Sequence, residues 1–192
     1  MADLATAAGK KLGFLFRARK YFSPANLATL YKAQIRPGLE YCSHIYGTAA
    51  PTTLALLDSV QNRAIRLIGD PNITRRLAPL SHRRAVADLS LFYRYFHGHC
   101  SSEISNIMPQ LEIPGRETRR TATSHRHTVE LRTSRTAPFD RTFVPRASRL
   151  WNSLPSNVFP ETIDLQTFKS RINRLNLSLP STHPPPFLQP SF

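Results

Sequence analysis

The sequence predicts a mainly α-helical protein, and three observations support this fold class. Apolar residues recur every three or four positions in several separate segments, as they do along one face of an α-helix. Proline and glycine stand at the ends of these segments, where helices begin and stop. Two-residue alternation, the pattern of a half-buried strand, occurs only around residues 128–131 and allows one short strand there. With 192 residues, 41% of them hydrophobic, the chain can bury a core in one domain or two small ones.

Residues 1–100 contain the clearest helical patterns. The first segment carries an apolar stripe formed by Leu4, Ala8, Leu12 and Leu15. In the second segment Ser23 can act as N-cap and Pro24 can occupy the first helical position, and Pro37 with Gly38 ends or kinks this helix. A helical stripe then continues up to Gly47. We therefore predict a unit of four or five helices over residues 1–100.

Two longer helices complete this unit. One opens at Pro51 and keeps an apolar stripe up to Gly69, which stands where a C-cap glycine belongs. The other is predicted to begin with Ser81 as its N-cap. Its second half, LSLFYRYF, is apolar on nearly every side, which indicates a position inside the core.

The rest of the chain is less regular. We interpret residues 101–127 as a linker or arginine-rich loop, and residues 128–177 as a small C-terminal region with short helices. One of these helices begins at Pro145, and the last carries a stripe over Leu165, Phe168 and Ile172. Residues 178–192 contain five of the 16 prolines and are predicted to be a disordered or extended tail.

The charge is high and unusual in kind. The chain has 26 basic and 12 acidic residues, a net charge of +14, and only five of the basic residues are lysines. The planar guanidinium suits contacts with phosphates and base planes, so the composition favours nucleic acid first and an acidic protein surface second. A solvated surface shaped by codon bias remains the alternative. For a polyanion, the arginine-rich stretch 116–149, which includes Arg119 and Arg120, is the favoured place.

Other partners and compartments are disfavoured. Lys, Arg or Pro breaks every apolar run before the ~20 residues that a membrane span needs, so no transmembrane helix is predicted. No small-residue cleavage site follows the short apolar stretch LGFLF, so the start does not read as a secretory signal. Cys42 and Cys100 are too few for a disulfide scaffold. We expect an intracellular protein, in the nucleus or the cytoplasm.

No motif for catalysis or metal binding is present. Glycine-rich phosphate loops, HExxH and GxSxG are absent, and no two aspartates are closer than twelve residues, which disfavours two-metal phosphoryl transfer. His97, His99 and Cys100 are close in sequence and could meet Cys42 and His44, but no CxxC pair supports a zinc site. We therefore expect no catalytic residue, no metal, no cofactor and no small-molecule substrate.

Aromatic and basic residues interleave in two places. The first group surrounds Phe14, Phe16, Tyr21 and Phe22, and the second occupies residues 92–96. Exposed rings beside arginine would fit single-stranded nucleic acid. Rings at helical spacing are more often part of the core, so we expect both groups to be core residues, and Trp151 to be a packing anchor.

Five stretches, taken in order, resemble one protein family. They are KKLGFLFRARKYFSPANLATLYKAQIRPGLEYCSHIYG, LLDSVQNRAIRLIGD, LSHRRAVADLSLFYRYFHG, RTFVPRASRLWNSLP and LQTFKSRINR. Together they are similar to the C-terminal part of non-LTR retrotransposon reverse transcriptases of the jockey and related types, over about residues 8–176.

The resemblance implies that the first helices correspond to a polymerase thumb, which lies against the template-primer duplex. The aspartates of the family's polymerase site belong to a YADD-type motif upstream of the matching region, and this sequence has no such motif. The intact family enzyme would use magnesium. The resemblance therefore implies a fragment that does not synthesise DNA by itself.

The same resemblance supplies candidate nucleic-acid-binding residues. Those matching the basic start of the thumb-like segment are Lys10, Lys11, Arg17, Arg19 and Lys20. Those on the helices that follow are Arg36, Arg63 and Arg66. Arg119 and Arg120 are candidates in the arginine-rich segment. We expect phosphate contacts that are independent of sequence and weakened by salt. For each residue the alternative is a solvated helix face.

Two functions remain open. The first is a reverse-transcriptase fragment with residual, non-sequence-specific binding to the RNA or DNA backbone. The alternative is a non-catalytic helical fragment for protein interaction, whose apolar face packed on the palm domain of an intact reverse transcriptase. Salt dependence separates the two, because counterion release accompanies the first and apolar burial drives the second.

Overall fold

The computed structural model describes residues 1–111, 125–131, 136–175 and 177. In these ranges the chain is mainly helical, so the predicted fold class is confirmed. The α-helices are α1 (Ala2–Ala18), α2 (Pro24–Leu30), α3 (Arg36–Glu40), α4 (Ser43–Tyr46), α5 (Pro51–Ile68), α6 (Pro71–Thr74), α7 (Leu80–Phe96), α8 (Ser102–Ile107), α9 (Ala137–Asp140), α10 (Phe143–Asn152) and α11 (Leu165–Asn173). Two 3₁₀ turns (Arg19–Tyr21 and Ser156–Val158) and one π-helical turn (Tyr31–Ile35) complete the regular structure of these residues.

Several helix ends follow the predicted local chemistry. The Ser23 hydroxyl accepts a hydrogen bond from the backbone N–H of Asn26, 3.3 Å away, and Pro24 is the first residue of α2. Gly69 ends α5 in the left-handed conformation with φ of 70°, which glycine adopts without a Cβ penalty. The N-cap predicted for Ser81 is wrong. The N-cap is Pro79, two residues earlier, because its carbonyl already accepts the N–H of Arg83.

Residues 31–47 are less continuous than their apolar stripe predicts. The π-helical turn Tyr31–Ile35 precedes Pro37, whose missing N–H and bulky ring disturb a regular α-helix. Helix α3 then ends at Glu40, and Cys42 takes the left-handed conformation with φ of 56° before α4 begins. The predicted single stripe is therefore divided into short helices, and the Tyr46 hydroxyl reaches back to the carbonyl of Leu39.

The N-terminal helices share one hydrophobic cluster. It contains apolar residues of α1, α2, the π-helical turn, α3 and α5, together with Leu77 and Leu80. The most completely buried of them are Tyr31, Ile35, Leu39, Leu57 and Val60. The stripes of α1 and α5 predicted this packing, since Leu12, Leu15, Leu57 and Val60 all lie inside.

Helix α7 supplies most of its apolar side chains to a second cluster. Leu89, Phe92 and Tyr93 are buried against α10 and α11, with Trp151 at the centre. Trp151 is fully buried, as expected of a packing anchor. Two differences from the sequence reading occur nearby. Helix α8 lies within the expected linker, and in place of a short strand Val129 forms a single antiparallel bridge with Leu111.

Candidate nucleic-acid interface

Helices α1 and α5 pack side by side, and a groove runs between them. One end of the groove has a volume of about 400 Å³ and is lined by Gly9, Leu12, Gly13, Phe16, Arg19, Arg63, Arg66 and Leu67. The other end, of about 450 Å³, is lined by Ala5, Thr6, Gly9, Lys10, Leu56, Ser59 and Arg63. Because the two ends share Gly9 and Arg63, we treat them as one feature and call it the α1–α5 groove.

Small residues on α1 make room for arginine side chains. A Cβ atom on Gly9 would lie 3.4 Å from Nη2 of Arg63, and one on Gly13 would lie 3.8 Å from Nη1 of Arg17. Gly9 and Gly13 are four residues apart and therefore lie on the same face of α1. The guanidinium of Arg63 thus lies close against the backbone of α1.

A buried pair of hydrogen bonds fixes α5 from within the core. The Tyr31 hydroxyl donates to Oε1 of Gln61 at 3.1 Å, and Nε2 of Gln61 donates to the carbonyl of Ala78 at 3.0 Å. Burial raises the pKa of Tyr31 to about 12, so the hydroxyl remains a neutral donor at physiological pH. These bonds tie α5 to the π-helical turn and to the segment that precedes α7.

No acidic side chain occurs among the described residues that line the groove. Asp58 is the one acid of α5, and both of its oxygens accept hydrogen bonds from Arg84 of α7, at 3.0 and 3.1 Å. Four basic residues line the groove, and all of them are exposed: Lys10, Arg19, Arg63 and Arg66. None of the four forms an ion pair with an acid in the described part of the chain. The groove is therefore electropositive.

Several arginines outside the groove form ion pairs with acidic side chains. Within residues 1–111, 125–131 and 136–175, ion pairs occupy Arg36, Arg83, Arg84, Arg146 and Arg149. Arg84 and Arg146 are buried. The positive charge thus divides into side chains that join helices and side chains that face solvent, and those of the groove belong to the second kind.

The remaining predicted residues lie outside the groove. Lys11 donates from Nζ to the carbonyl of Gln34 at 3.3 Å, Arg17 is exposed, and Nζ of Lys20 lies 4.9 Å from the centre of the Tyr21 ring. Arg36 forms an ion pair with Glu40 at 3.4 Å, which offsets its charge. Arg119 and Arg120 fall outside the described residues.

The aromatic residues near the start are exposed, so their predicted place in the core is wrong. Phe14 is 64% exposed, Phe16 53% and Tyr21 75%, and Phe22 is exposed as well. In the second group the prediction is correct for Phe92 and Tyr93, which are buried. Phe14 and Phe16 each lie one residue from Leu15, about 100° around the helix from the buried stripe. Helical position could therefore have indicated their exposure.

Phe16 lines the groove as well, although the sequence did not identify it as a site residue. The guanidinium carbon of Arg19 lies over its ring, 4.2 Å from the centroid. Arg63 and Arg66 line the same end of the groove. A half-exposed ring therefore stands among three guanidinium groups.

The described residues contain neither a metal-binding cluster nor a membrane-spanning helix. No group of three or more His, Cys, Asp and Glu side chains is arranged to hold a metal ion there. No helix among them combines the length and the apolar character that crossing a bilayer requires.

Comparisons of the chain with protein-family models, with curated proteins and with solved structures find no significant match.

Proposed function

We propose that this chain is a thumb-like and downstream part of a non-LTR retrotransposon reverse transcriptase that has no polymerase activity of its own. In this proposal the chain binds the backbone of RNA or DNA without sequence preference, and the α1–α5 groove is the main contact. The resemblance of the five ordered sequence stretches supports the family. The groove supports the binding.

The observation that carries the binding proposal is the contrast between paired and unpaired cations. Lys10, Arg19, Arg63 and Arg66 share one groove. Asp58, the one acid of α5, forms its ion pair with Arg84 of α7. A phosphate is attracted most where cations lack an acidic partner, because an ion pair already offsets its own field. Guanidinium groups can also bind phosphate oxygens through two parallel hydrogen bonds.

The proposal predicts a defined response to salt. Each phosphate neutralised on a duplex releases condensed counterions, and log K falls by about 0.9 per decade of salt for each such contact. Four contacts in the groove therefore correspond to a slope between about −3 and −4. Binding without sequence preference follows because phosphates carry no base information.

A pair of matched double variants tests the proposal. Arg63→Gln/Arg66→Gln removes two charges from the groove, and Arg75→Gln/Arg76→Gln removes two exposed charges that do not line it. Fluorescence anisotropy with a labelled primer-template duplex of random sequence is measured between about 50 and 200 mM salt. We expect the groove variant to lose at least about tenfold in affinity and about two units of slope. The control should lose less than about threefold.

Equal losses in the two variants would show that binding follows total charge and not the groove. No binding by the unaltered chain at about 50 mM salt would contradict the binding proposal itself.

Exposed apolar residues favour the second candidate function, interaction with a protein surface such as the reverse-transcriptase palm. Tyr41 is 78% exposed and Ile45 64%, and they flank the turn at Cys42. An apolar contact of this kind would respond little to salt. Sedimentation velocity at several protein concentrations and two salt concentrations tests it, because association independent of salt is the expected result.

A further inference from the structure

The exposed ring of Phe16 lies in the α1–α5 groove, and an aromatic ring adds little to contacts with a duplex backbone. It is 53% exposed, it belongs to α1, and it lines the α1–α5 groove together with Arg63 and Arg66. Exposing an apolar ring of this size to water is unfavourable, and burying it in the core would be the usual outcome. Its position among cations calls for a partner that offers both negative charge and a flat apolar face.

Single-stranded nucleic acid has both features. In a duplex the faces of the bases are covered by their neighbours, and the outside presents phosphates and base edges. In a single strand the base faces are open, and they stack on aromatic side chains whatever the base is. Arginine beside the ring strengthens such contacts, because it binds phosphate and also stacks on base planes.

The groove has suitable dimensions for a strand. Its end around Phe16 has a volume of about 400 Å³, within the range of roughly 300 to 1,000 Å³ that small-ligand sites occupy. Its lining residues on α1 run from Ala5 to Phe16, a helical rise of about 17 Å. At about 3.4 Å per stacked nucleotide this length holds roughly five nucleotides. Arg19 covers one face of the Phe16 ring, and the exposed remainder is open to a base.

We infer that the α1–α5 groove prefers single-stranded over double-stranded nucleic acid, with one base stacked on Phe16 and the adjoining phosphates bound by Arg63 and Arg66. The inference rests on the proposed nucleic-acid binding and adds the form of the ligand. It assigns separate roles to the side chains of the groove. The cations supply affinity for any strand, and Phe16 supplies the preference for unpaired bases.

Two alanine variants on the same helix provide the test. Phe16→Ala removes the ring from the groove, and Phe14→Ala removes an equally large ring that is 64% exposed and does not line the groove. Both side chains are exposed, so both variants should keep the helical circular dichroism of the unaltered chain. The probes are a fluorescein-labelled 12-nucleotide oligodeoxyadenylate and the duplex that it forms with oligodeoxythymidylate.

We expect Phe16→Ala to bind the single strand about tenfold more weakly, the range of one lost base stack, and to bind the duplex within about twofold of the unaltered chain. Phe16→Trp should restore single-strand binding, and Phe14→Ala should change neither affinity. Equal effects of Phe16→Ala on the two probes, or equal effects of the two alanine variants, would overturn the inference while leaving backbone binding in place. If the unaltered chain bound neither probe at about 50 mM salt, the proposed function would fail and the inference with it.

Discussion

Arg146 of α10 and Asp88 of α7 form an ion pair that is buried in the protein. Nε of Arg146 donates to Oδ2 of Asp88 at 2.9 Å, and the two side chains are only 8% and 4% exposed. The same guanidinium donates to the carbonyl of His44 at 3.2 Å and to the carbonyl of Arg141. One arginine of α10 therefore joins α4, α7 and the end of α9. Burial raises the pKa of Asp88 although Arg146 acts to lower it.

This arrangement predicts unequal effects of removing the two partners. Arg146→Ala leaves a buried carboxylate without its cation and should lower the free energy of unfolding by about 3 to 5 kcal/mol. Asp88→Asn should have a smaller effect, because the amide oxygen still accepts from Arg146 and the guanidinium keeps its bonds to the carbonyls of His44 and Arg141. The folded-state pKa of Asp88 is raised, so its contribution to stability is present below the unfolded pKa and is lost as the pH rises through the folded pKa.

Urea unfolding at pH 7, followed by the fluorescence of Trp151, measures both effects, since this is the one tryptophan of the chain. Arg149→Ala is the control, because its ion pair with Asp140 is about one-third exposed and should contribute about 1 kcal/mol or less. A larger loss for Asp88→Asn than for Arg146→Ala would contradict this account.

The guanidinium of Arg146 leaves no room for a side chain at Gly47. A Cβ atom at this position would lie 2.8 Å from Nη2 of Arg146 and 2.7 Å from the carbonyl oxygen of Ser43. The φ of Gly47 is −59°, which any residue adopts, so the close contact is the only obstacle. Gly47→Ala should destabilise the protein by about 1 to 3 kcal/mol. Gly38→Ala is the matched control, because nothing lies within 4 Å of its Cβ and alanine favours the helix. Thermal unfolding of the two variants should shift in opposite directions.

Local patterns in the sequence predicted much of the helical structure for physical reasons. The stripes of α1, α5 and α11 follow from the 3.6-residue period, and the ends at Ser23 and Gly69 follow from the chemistry of single residues. The turn at Cys42 was not predictable in this way, because cysteine has no special tendency toward the left-handed conformation.

The candidate site was only partly predictable from the sequence. Arg63 and Arg84 are the same residue type on neighbouring helices, yet one faces the groove and the other holds Asp58. This difference depends on which acid packs nearby in three dimensions, and no local pattern reports it. The exposure of Phe16 is a different case, since its angular distance from the buried stripe was readable from the sequence.

Asn152 attaches the segment around Val129 to α10 through two hydrogen bonds. Its Oδ1 accepts from the N–H of Val129 at 3.0 Å, and its Nδ2 donates to the carbonyl of Val129 at 2.8 Å. Asn152→Asp keeps the acceptor but cannot donate, and it places a negative charge against the carbonyl. We expect a loss of about 2 kcal/mol in the free energy of unfolding. Asn106→Asp, at an exposed position of α8, should change stability by less than about 0.5 kcal/mol. A comparable loss in both variants would show that the hydrogen bonds of Asn152 to Val129 do not contribute specifically to stability.

His125 provides a prediction about pH. Its Nδ1 accepts from the N–H of His127 at 3.2 Å, and its Nε2 lies 2.9 Å from the carbonyl of Trp151. These partners assign the neutral form with the proton on Nε2, because a proton on Nδ1 would face another donor. The ring also packs on Phe159, with 4.4 Å between ring centres. Burial lowers the pKa of His125, and it likewise lowers those of His127 and His97.

Because these folded-state pKa values lie below the unfolded value of about 6.5, the unfolded chain binds more protons in mild acid. The stability from neutral histidine is therefore present above about pH 6.5 and is lost as the pH falls through the folded pKa values. Urea unfolding at pH 7.5, 6.5 and 5.5 should show this decline, with at most about 1.4 kcal/mol per pH unit for each histidine. His125→Asn should reduce the slope by up to one proton. An unchanged slope in His125→Asn would show that this ring does not couple protonation to folding.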